Sequence, residues 1–261
     1  MPALPGKVFL VGAGPGDPEL LTTKAVRLLQ SAKIVLHDSL VTPEILALIS
    51  PSAERFDVGK RRGIRILSQD EINTLLVASA AQHAIVVRLK GGDPLLFGRA
   101  AEEIQALRAA GIEFEVVPGI SAGFGAAASA GVSLTDRRAA SHVLFTTYSR
   151  SPESRVLPFI GLSSETTVIV YMPGVDYAGV SQWLLDSGFV PETPCVVISK
   201  ASQREQAVCP ATLSKLASLT PLPAPALVIV GRVVSQVEGW TSVFSWFSEQ
   251  SQEPARGRAI S

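Results

Sequence analysis

Three glycine-rich turns hold the residue types best suited to binding a ligand, and each follows a short segment rich in apolar residues. They are residues 12–17 (GAGPGD), 91–94 (GGDP) and 119–123 (GISAG). In the second turn, Gly91 and Gly92 expose backbone amides and carbonyls without side-chain cover, which suits a ligand recognised by its polar edges. Because open α/β sheets bind ligands at the carboxyl ends of their strands, this turn is a candidate binding loop.

The first turn invites comparison with the dinucleotide-binding fingerprint, since Asp38 ends the next strand at about the right distance to hold a ribose. The fingerprint is incomplete. Asp17 stands where its third glycine belongs, and Pro15 has no backbone N–H to offer a pyrophosphate. We therefore do not expect a dinucleotide site, and a tight strand-to-helix turn without a ligand stays open as the alternative.

The third turn contains a literal GxSxG around Ser121, which in an α/β-hydrolase would present a nucleophilic serine. The partners of such a serine are badly placed. His142 is the only downstream histidine, and Asp136 precedes it by six residues. This spacing leaves no room for the later strands that normally carry the acid and the base, so the sequence disfavours a hydrolase.

Composition excludes several other classes of protein. Lys and Arg together number 23, as do Asp and Glu, whereas a general nucleic-acid binder is usually far more basic. Apolar residues make up 47% and charged residues 18%, which indicates a folded chain. No apolar stretch reaches the roughly 18 residues of a membrane span, and the start lacks a signal-peptide pattern, so we expect a cytoplasmic protein. Cys195 and Cys209 form no CxxC, and His37, His83 and His142 have no paired-ligand spacing, so no metal is expected.

The elements that must position these turns follow from hydrophobic periodicity. Short β-branched runs alternate with segments of helical period in the first half, which predicts βα units and a largely parallel sheet. Strands are predicted over residues 8–11, 34–37, 55–58, 85–89 and 114–117. Ser68 and Glu71 form a capping box that predicts the start of a helix, and a second helix is predicted over 99–110, ending at Gly111.

The second half has more strands per helix, which predicts a mixed sheet with antiparallel hairpins. Its predicted strands are 142–147, 167–171, 195–199, 207–209 and 227–230, with helices near 180–187 and 211–219. A segment of small residues after Pro118 marks the joint between domains. We predict an α/β domain over residues 5–118, a mixed α/β domain over 119–247 and a flexible tail over 248–261.

Seven sequence strings, in order and at compatible spacing, resemble the tetrapyrrole methylase family. They are VGAGPGDPELLT, HDSLV, GKRRG, SQDEIN, VVRLKGGDPLLFGRAAEE, VPGISA and ALVIVGRVV. The resemblance covers nearly all of the chain from Lys7 to about Trp246. It implies a fold of two α/β domains with the active cleft between them, and a homodimer.

The resemblance also implies an activity. Enzymes of this type that share the GKRxG and KGGDP-to-FGR segments transfer two methyl groups from S-adenosylmethionine to uroporphyrinogen III, through precorrin-1 to precorrin-2, toward sirohaem and cobalamin. Asp38 matches the position of the proton acceptor and Lys60 that of the proton donor. The positions matching donor contacts are Pro15, Gly91, Gly92, Asp93, Leu96, Ser121, Ala122, Met172 and Ala201, the last standing where the family has a glycine.

Uroporphyrinogen is a polycarboxylate, so a chain of zero net charge must concentrate positive charge where this substrate binds. Arg61 and Arg62 follow Lys60 directly, and Arg137 heads a second basic pair. Bidentate contacts between arginine and carboxylate would account for both groups, and we assign Arg61, Arg62 and Arg137 to substrate binding. A solvated basic loop is the alternative, chiefly for Arg65 and Arg138.

Three departures from the family pattern keep other functions open. Thr146-Thr147-Tyr148 stands where Thr-Gly-His is usual, Asp136 replaces the histidine of a Thr-His-Arg turn, and Pro173 follows Met172 in place of glycine. One alternative is a sister enzyme that methylates another tetrapyrrole or corrinoid precursor. Another is a module that binds the donor but has lost the chemistry.

Overall fold

A computed structural model describes residues 6–59, 67–148, 159 and 161–236. The chain forms two compact units. The first comprises the residues up to Ala126 together with Lys200–Glu205, and the second comprises Ala127–Ser199 and the residues from Gln206 onward.

The first unit is built on a five-stranded parallel sheet. Its strands are β1 (Lys7–Gly12), β2 (Ile34–His37), β3 (Glu54–Asp57), β4 (Ile85–Lys90) and β5 (Phe114–Val117), in the order β3-β2-β4-β1-β5. Its helices are α1 (Thr23–Ser31), α2 (Pro43–Leu46), α3 (Gln69–Gln82), α4 (Ala100–Ala109) and the start of α5 (Ala122–Ser129). The five predicted strands are all present, each within one residue at either end.

Both faces of this sheet are buried. Successive residues of a strand point to opposite sides, so each strand contributes side chains to both faces. On one face, Val35 and Val87 pack with Leu29 of α1. On the other face, Leu36 and Val86 belong to the cluster that includes residues of α3 and α4. Helices on both faces explain why the central strands are mostly apolar, with the buried Arg88 and Lys90 of β4 as charged exceptions.

The order of the strands fixes where a ligand can bind. The chain runs from β1 outward through β2 and β3, returns to β4, and then crosses to β5 on the other side of β1. Such a reversal opens a crevice at the carboxyl ends of the strands. All three glycine-rich turns follow strands at this reversal, namely β1, β4 and β5.

The second unit contains a mixed sheet, as the sequence predicts. Its strands are β6 (His142–Thr147), β7 (Thr166–Tyr171), β8 (Pro194–Ser199), β9 (Ala207–Thr212) and β10 (Ala226–Val230), in the order β6-β7-β10-β8-β9. Only the β6–β7 pair is parallel among these. The helices α6 (Tyr177–Asp186) and α7 (Leu213–Leu216) pack on it through a cluster that includes Trp183, Leu184 and Leu213.

One predicted helix is much shorter than expected. The prediction covers residues 211–219, whereas α7 is Leu213–Leu216 and β9 continues through Thr212. Ala211 pairs with Cys195 and Thr212 with Pro194 across the β8–β9 ladder. The prediction is wrong here because pairing with β8 determines the conformation of these residues, and local periodicity does not report it.

The compact units divide the chain at a different place from the predicted domain joint after Pro118. The division lies between Ala126 and Ala127, inside α5, and residues 200–205 pack with the first unit. The start of α5 contacts the first glycine-rich turn: a side chain on Gly125 would lie 2.7 Å from Pro15 Cγ. The predicted tail, 248–261, lies outside the described residues.

Within the described ranges, no helix is long and apolar enough to cross a membrane. In the same part of the chain, no group of three or more His, Cys, Asp or Glu side chains is arranged to hold a metal ion.

Candidate functional site

The first and second glycine-rich turns form one backbone unit. Gly14 N–H donates to Gly92 O at 3.1 Å, and Gly92 N–H donates to Gly14 O at 2.8 Å. Both glycines have φ of +67°, which an L side chain rarely adopts. The turns after β1 and β4 are therefore fixed to each other by a pair of hydrogen bonds that depends on glycine at both positions.

Asp93 ties the second turn to the third. Its Oδ1 accepts the Leu95 N–H at 2.8 Å and its Oδ2 accepts the Gly119 N–H at 3.0 Å. Each carboxylate oxygen has a second lone pair, so the group can still accept from ligand hydroxyls while it holds the loop. Asp93 thus has a structural role in the site that its sequence context did not predict.

The third turn leads into α5. Ser121 is buried, and its carbonyl accepts the Phe124 and Gly125 N–H groups at 3.0 Å each. Ala122 is the first residue of α5 and, with Ser121, lies near Gly92: a Cβ on Gly92 would be 3.6 Å from Ala122 N and 3.8 Å from Ser121 Cα. The structure therefore brings together Gly91, Gly92, Asp93, Ser121 and Ala122.

Residues 200–205 complete this group of donor-site candidates within the first unit. Gln203 Nε2 donates to Pro15 O at 3.2 Å. Ala201 is buried and lies two positions before Gln203 in the sequence. Its neighbours Lys200 and Ser202 have φ of +49° and +62°. Pro15 and Ala201 are 186 positions apart and both belong to the first unit.

The first turn also borders a cavity of about 490 Å³. Its lining includes Asp17 and Glu44 as well as Lys200 and Arg204. Because both signs of charge are present, the lining does not select a class of ligand.

Leu96 is half-buried in the segment that joins the second turn to α4. Two residues of this segment, Phe97 and Arg99, have φ of +55°, a conformation that is uncommon outside glycine. Arg99 binds Glu102 through two hydrogen bonds of 2.7 Å. The segment is consequently held in an irregular shape directly after the glycine turn.

Asp38 lies at the end of β2, beside the second turn. Its N–H donates to Leu89 O at 3.1 Å, and Arg88 Nη2 donates to its Oδ1. The Asp38 side chain is 29% exposed, whereas the Arg88 side chain is only 2% exposed. The Asp38 carboxylate is therefore reachable from solvent on one side and paired with a buried guanidinium on the other.

Behind Asp38 lies a buried group of charges. Glu103 of α4 accepts hydrogen bonds from Arg88 Nε and Lys90 Nζ, each at 2.9 Å. Burial lowers the pKa of the Lys90 ammonium, the Arg88 charge lowers it further, and the Glu103 and Asp38 carboxylates oppose both effects. Glu103 is not among the site residues predicted from the sequence. Glu103 lies on the same buried side of α4 as Ala100 and Leu107, and this helical spacing was the sequence signal that could have identified it.

Two predicted site residues belong to the second unit. Met172 directly follows β7, has φ of +52° and is 47% exposed. Arg137 is exposed, in the turn closed by the Asp136–Ala140 bridge. Lys60, Arg61 and Arg62 lie outside the described residues.

Comparison with known proteins identifies the family. The family of Tetrapyrrole (Corrin/Porphyrin) Methylases matches residues 7–217. Siroheme synthase 1 of Yersinia pseudotuberculosis serotype I (strain IP32953) is 44% identical over 249 residues, which are 95% of this chain and 52% of that protein. The chain thus spans about half the length of the curated relatives it matches.

Solved structures of methyltransferases match the fold of this chain. Uroporphyrin-III C-methyl transferase from Thermus thermophilus, known in its native form and complexed with S-adenyl homocysteine, is 38% identical, with a TM-score of 0.78 over 89% of this chain and 100% of that one. A cobalt precorrin-4 methyltransferase of cobalamin biosynthesis is 26% identical, with a TM-score of 0.72 over 87% and 95% of the two chains. The chain belongs to the tetrapyrrole methylase family, which confirms the family and the α/β fold predicted from the sequence.

Proposed function

We propose that this chain transfers two methyl groups from S-adenosylmethionine to uroporphyrinogen III, giving precorrin-2 by way of precorrin-1. One observation carries the proposal: the three glycine-rich turns form a continuous backbone cradle at the strand reversal, and the ion-paired Asp38 lies beside it. The family and the Thermus thermophilus transferase support this choice of reaction.

The cradle fits the methyl donor chemically. Gly91 has no side chain to cover its backbone carbonyl, and such a partial negative charge suits a positive sulfur, whereas the Gly92 carbonyl already accepts the Gly14 N–H. Asp93 keeps lone pairs for ribose hydroxyls beside the two N–H groups that it already binds. We assign donor binding to Pro15, Gly91, Gly92, Asp93, Leu96, Ser121, Ala122, Met172 and Ala201.

The donor supplies an already activated methyl group, so the protein needs no nucleophile of its own. The work of the cradle is to hold the reactants in line and to exclude water. A methylated pyrrole ring is cationic and must lose a proton, and we assign Asp38 as the base that accepts it. Lys60, outside the described residues, is assigned as the proton donor because it matches that position in the family.

Substrate binding is assigned to Arg61, Arg62 and Arg137, whose guanidinium groups suit the carboxylates of uroporphyrinogen. Arg61→Ala or Arg62→Ala should raise the KM for the tetrapyrrole much more than the KM for the donor. Equal effects on both constants would contradict this assignment.

The deciding experiment is an anaerobic incubation of the purified chain with S-adenosylmethionine and freshly generated uroporphyrinogen III, followed by mass analysis of the oxidised product. A gain of two methyl groups is expected, and Asp38→Asn should lower the rate while calorimetry finds donor binding unchanged. No gain by the wild type, with the donor still bound, would favour a sister substrate or an inactive binding module.

The tyrosine in one of the three departures from the family pattern has a structural explanation that requires no change of substrate. The Tyr148 ring is buried in the second unit, 5.9 Å from the Trp183 ring, and its hydroxyl donates to Asp176 Oδ2 at 3.2 Å. Tyr148 is therefore part of the core of the second unit. Replacing a histidine there changes packing, which does not require a different substrate.

We further propose that the chain works in the cytoplasm and that it forms a homodimer, as the family resemblance implies. Light scattering of the purified chain should give twice the mass of 27.5 kDa. A monomer that methylates at full rate would contradict the dimer and leave the reaction assignment intact.

A further inference from the structure

Glu103 is a fully buried carboxylate that gathers donors on a single oxygen. Its side chain is 0% exposed, and Oε1 accepts from Arg88 Nε at 2.9 Å, Lys90 Nζ at 2.9 Å and Gln69 Nε2 at 3.3 Å. Among the described residues, none donates to its Oε2, which is also buried. The carboxylate therefore acts mainly as the anchor of two buried cations.

Arg88 connects this anchor to the edge of the candidate site. Its Nη1 donates to Leu89 O at 3.2 Å, its Nε is held by Glu103, and its Nη2 reaches Asp38 Oδ1. A guanidinium is planar and has a fixed fork of donors, so holding one edge of it fixes the direction of the other. The orientation of the Asp38 carboxylate thus depends on a group that Glu103 holds.

Stability alone is a poor reason for this arrangement. Four charges, those of Asp38, Arg88, Lys90 and Glu103, lie within one chain of contacts, and taking such groups out of water costs several kcal/mol per ion before their attraction is counted. Apolar side chains of similar volume often stabilise a fold equally well. The one partly exposed member of the four is Asp38, at the carboxyl end of β2. The buried charges therefore lie directly next to the candidate site.

We propose that Glu103 is a positioning residue for methyl transfer, acting through Arg88 to fix the orientation of the Asp38 carboxylate. This inference rests on the proposed function, in which Asp38 accepts the proton. Glu103 itself touches neither substrate nor donor.

The test is Glu103→Gln, which keeps the shape of the side chain and removes its charge. Single-turnover methylation of uroporphyrinogen III should slow about 10- to 100-fold, the usual range for a small misplacement of a reacting group. The donor Kd by calorimetry and the KM for the tetrapyrrole should change less than about twofold. The matched control is Glu113→Gln, which removes the charge of an exposed glutamate 2.6 Å from Lys7 and should leave the rate unchanged.

A double-mutant cycle separates positioning from a general structural role. In an Asp38→Asn background, Glu103→Gln should add less than about a twofold loss, since the group that it orients is already gone. A full additional loss in that background would overturn the proposal. If Glu103→Gln does not fold, the charge-balanced pair Glu103→Gln with Lys90→Met takes its place, with the same expected losses.

The wild-type reaction distinguishes the two levels of inference. If the wild type does not methylate uroporphyrinogen III, the proposed function fails and this inference fails with it. If the wild type is active and Glu103→Gln keeps its full rate, only the assignment of Glu103 is overturned.

Discussion

Gly12 and Gly119 approach each other so closely that neither has room for a side chain. A Cβ on Gly12 would lie 2.5 Å from Gly119 N and 2.6 Å from Gly119 Cα, and a Cβ on Gly119 would lie 2.8 Å from Gly12 Cα. The obstructing atoms belong to the backbone and cannot move aside as a side chain can. This contact joins the end of β1 to the turn after β5, and Asp93 Oδ2 accepts the N–H of the same Gly119.

Gly12→Ala should therefore disturb the cradle as well as the fold. Overpacking of this kind costs about 1 to 3 kcal/mol of folding free energy, and we expect donor affinity to fall by at least about tenfold. The measurements are calorimetric titration with S-adenosylmethionine and the thermal midpoint of unfolding. Gly131→Ala is the control: Gly131 has φ of +65°, and apart from its chain neighbours no described residue lies within 4 Å of the position that a Cβ would take. It should cost about 1 to 2 kcal/mol of backbone strain and leave donor affinity unchanged. Unchanged affinity in Gly12→Ala would contradict the cradle.

The two arginines of the second basic pair should behave differently. Arg138 is already engaged by Asp136, through Nε at 3.1 Å and Nη2 at 3.0 Å, whereas Arg137 is assigned to substrate carboxylates. Arg137→Ala should raise the KM for uroporphyrinogen III about tenfold, and Arg138→Ala should raise it less than about threefold. Initial rates at varied tetrapyrrole concentration measure both. If Arg138→Ala raises this KM more than Arg137→Ala does, Arg138 and not Arg137 binds the substrate carboxylates.

The same ion pair makes the turn sensitive to acid. Hydrogen bonds from the side chain and backbone of Arg138 lower the pKa of Asp136 to about 2. A lowered folded-state pKa contributes stability above the unfolded value, near pH 4, and that contribution is lost as the pH falls toward 2. The thermal midpoint of the wild type should exceed that of Asp136→Asn at pH 6, and the difference should shrink between about pH 4 and pH 2. A constant difference across this range would mean that the charge of Asp136 is not responsible.

The strands of the first unit could be predicted because their signals are local. A β-branched run, a turn residue and a capping box each act within a few residues, and the capping box at Ser68 and Glu71 is present as predicted. The shortened helix α7 shows the limit, since Ala211 and Thr212 are held as strand by partners in β8. Pairing between distant segments leaves no periodic signal in either one.

The buried charges behind Asp38 were harder to predict for a related reason. Glu102 and Glu103 are adjacent and chemically identical, yet the first side chain is 46% exposed and the second is fully buried. Only the stripe of Ala100, Glu103 and Leu107 distinguishes them, and a stripe interrupted by a charge is easily missed. Gln203 and Pro15 are 188 positions apart, and the sequence alone does not specify that they come into contact.

The capping box at the start of α3 supports a stability prediction that leaves catalysis untouched. Ser68 Oγ accepts the Glu71 N–H at 3.2 Å, and Glu71 Oε2 accepts the Ser68 N–H at 2.8 Å. Ser68→Ala should lower the free energy of unfolding by about 1 kcal/mol and speed amide exchange at Glu71, with no change in methylation rate. Ser31→Ala is the matched control, because within the described residues the Ser31 hydroxyl donates to two carbonyls of α1 and caps no helix start. It should change stability by less than about 0.5 kcal/mol. Equal losses from the two variants would mean that the box does not hold the start of α3, and that side-chain removal alone explains the effect.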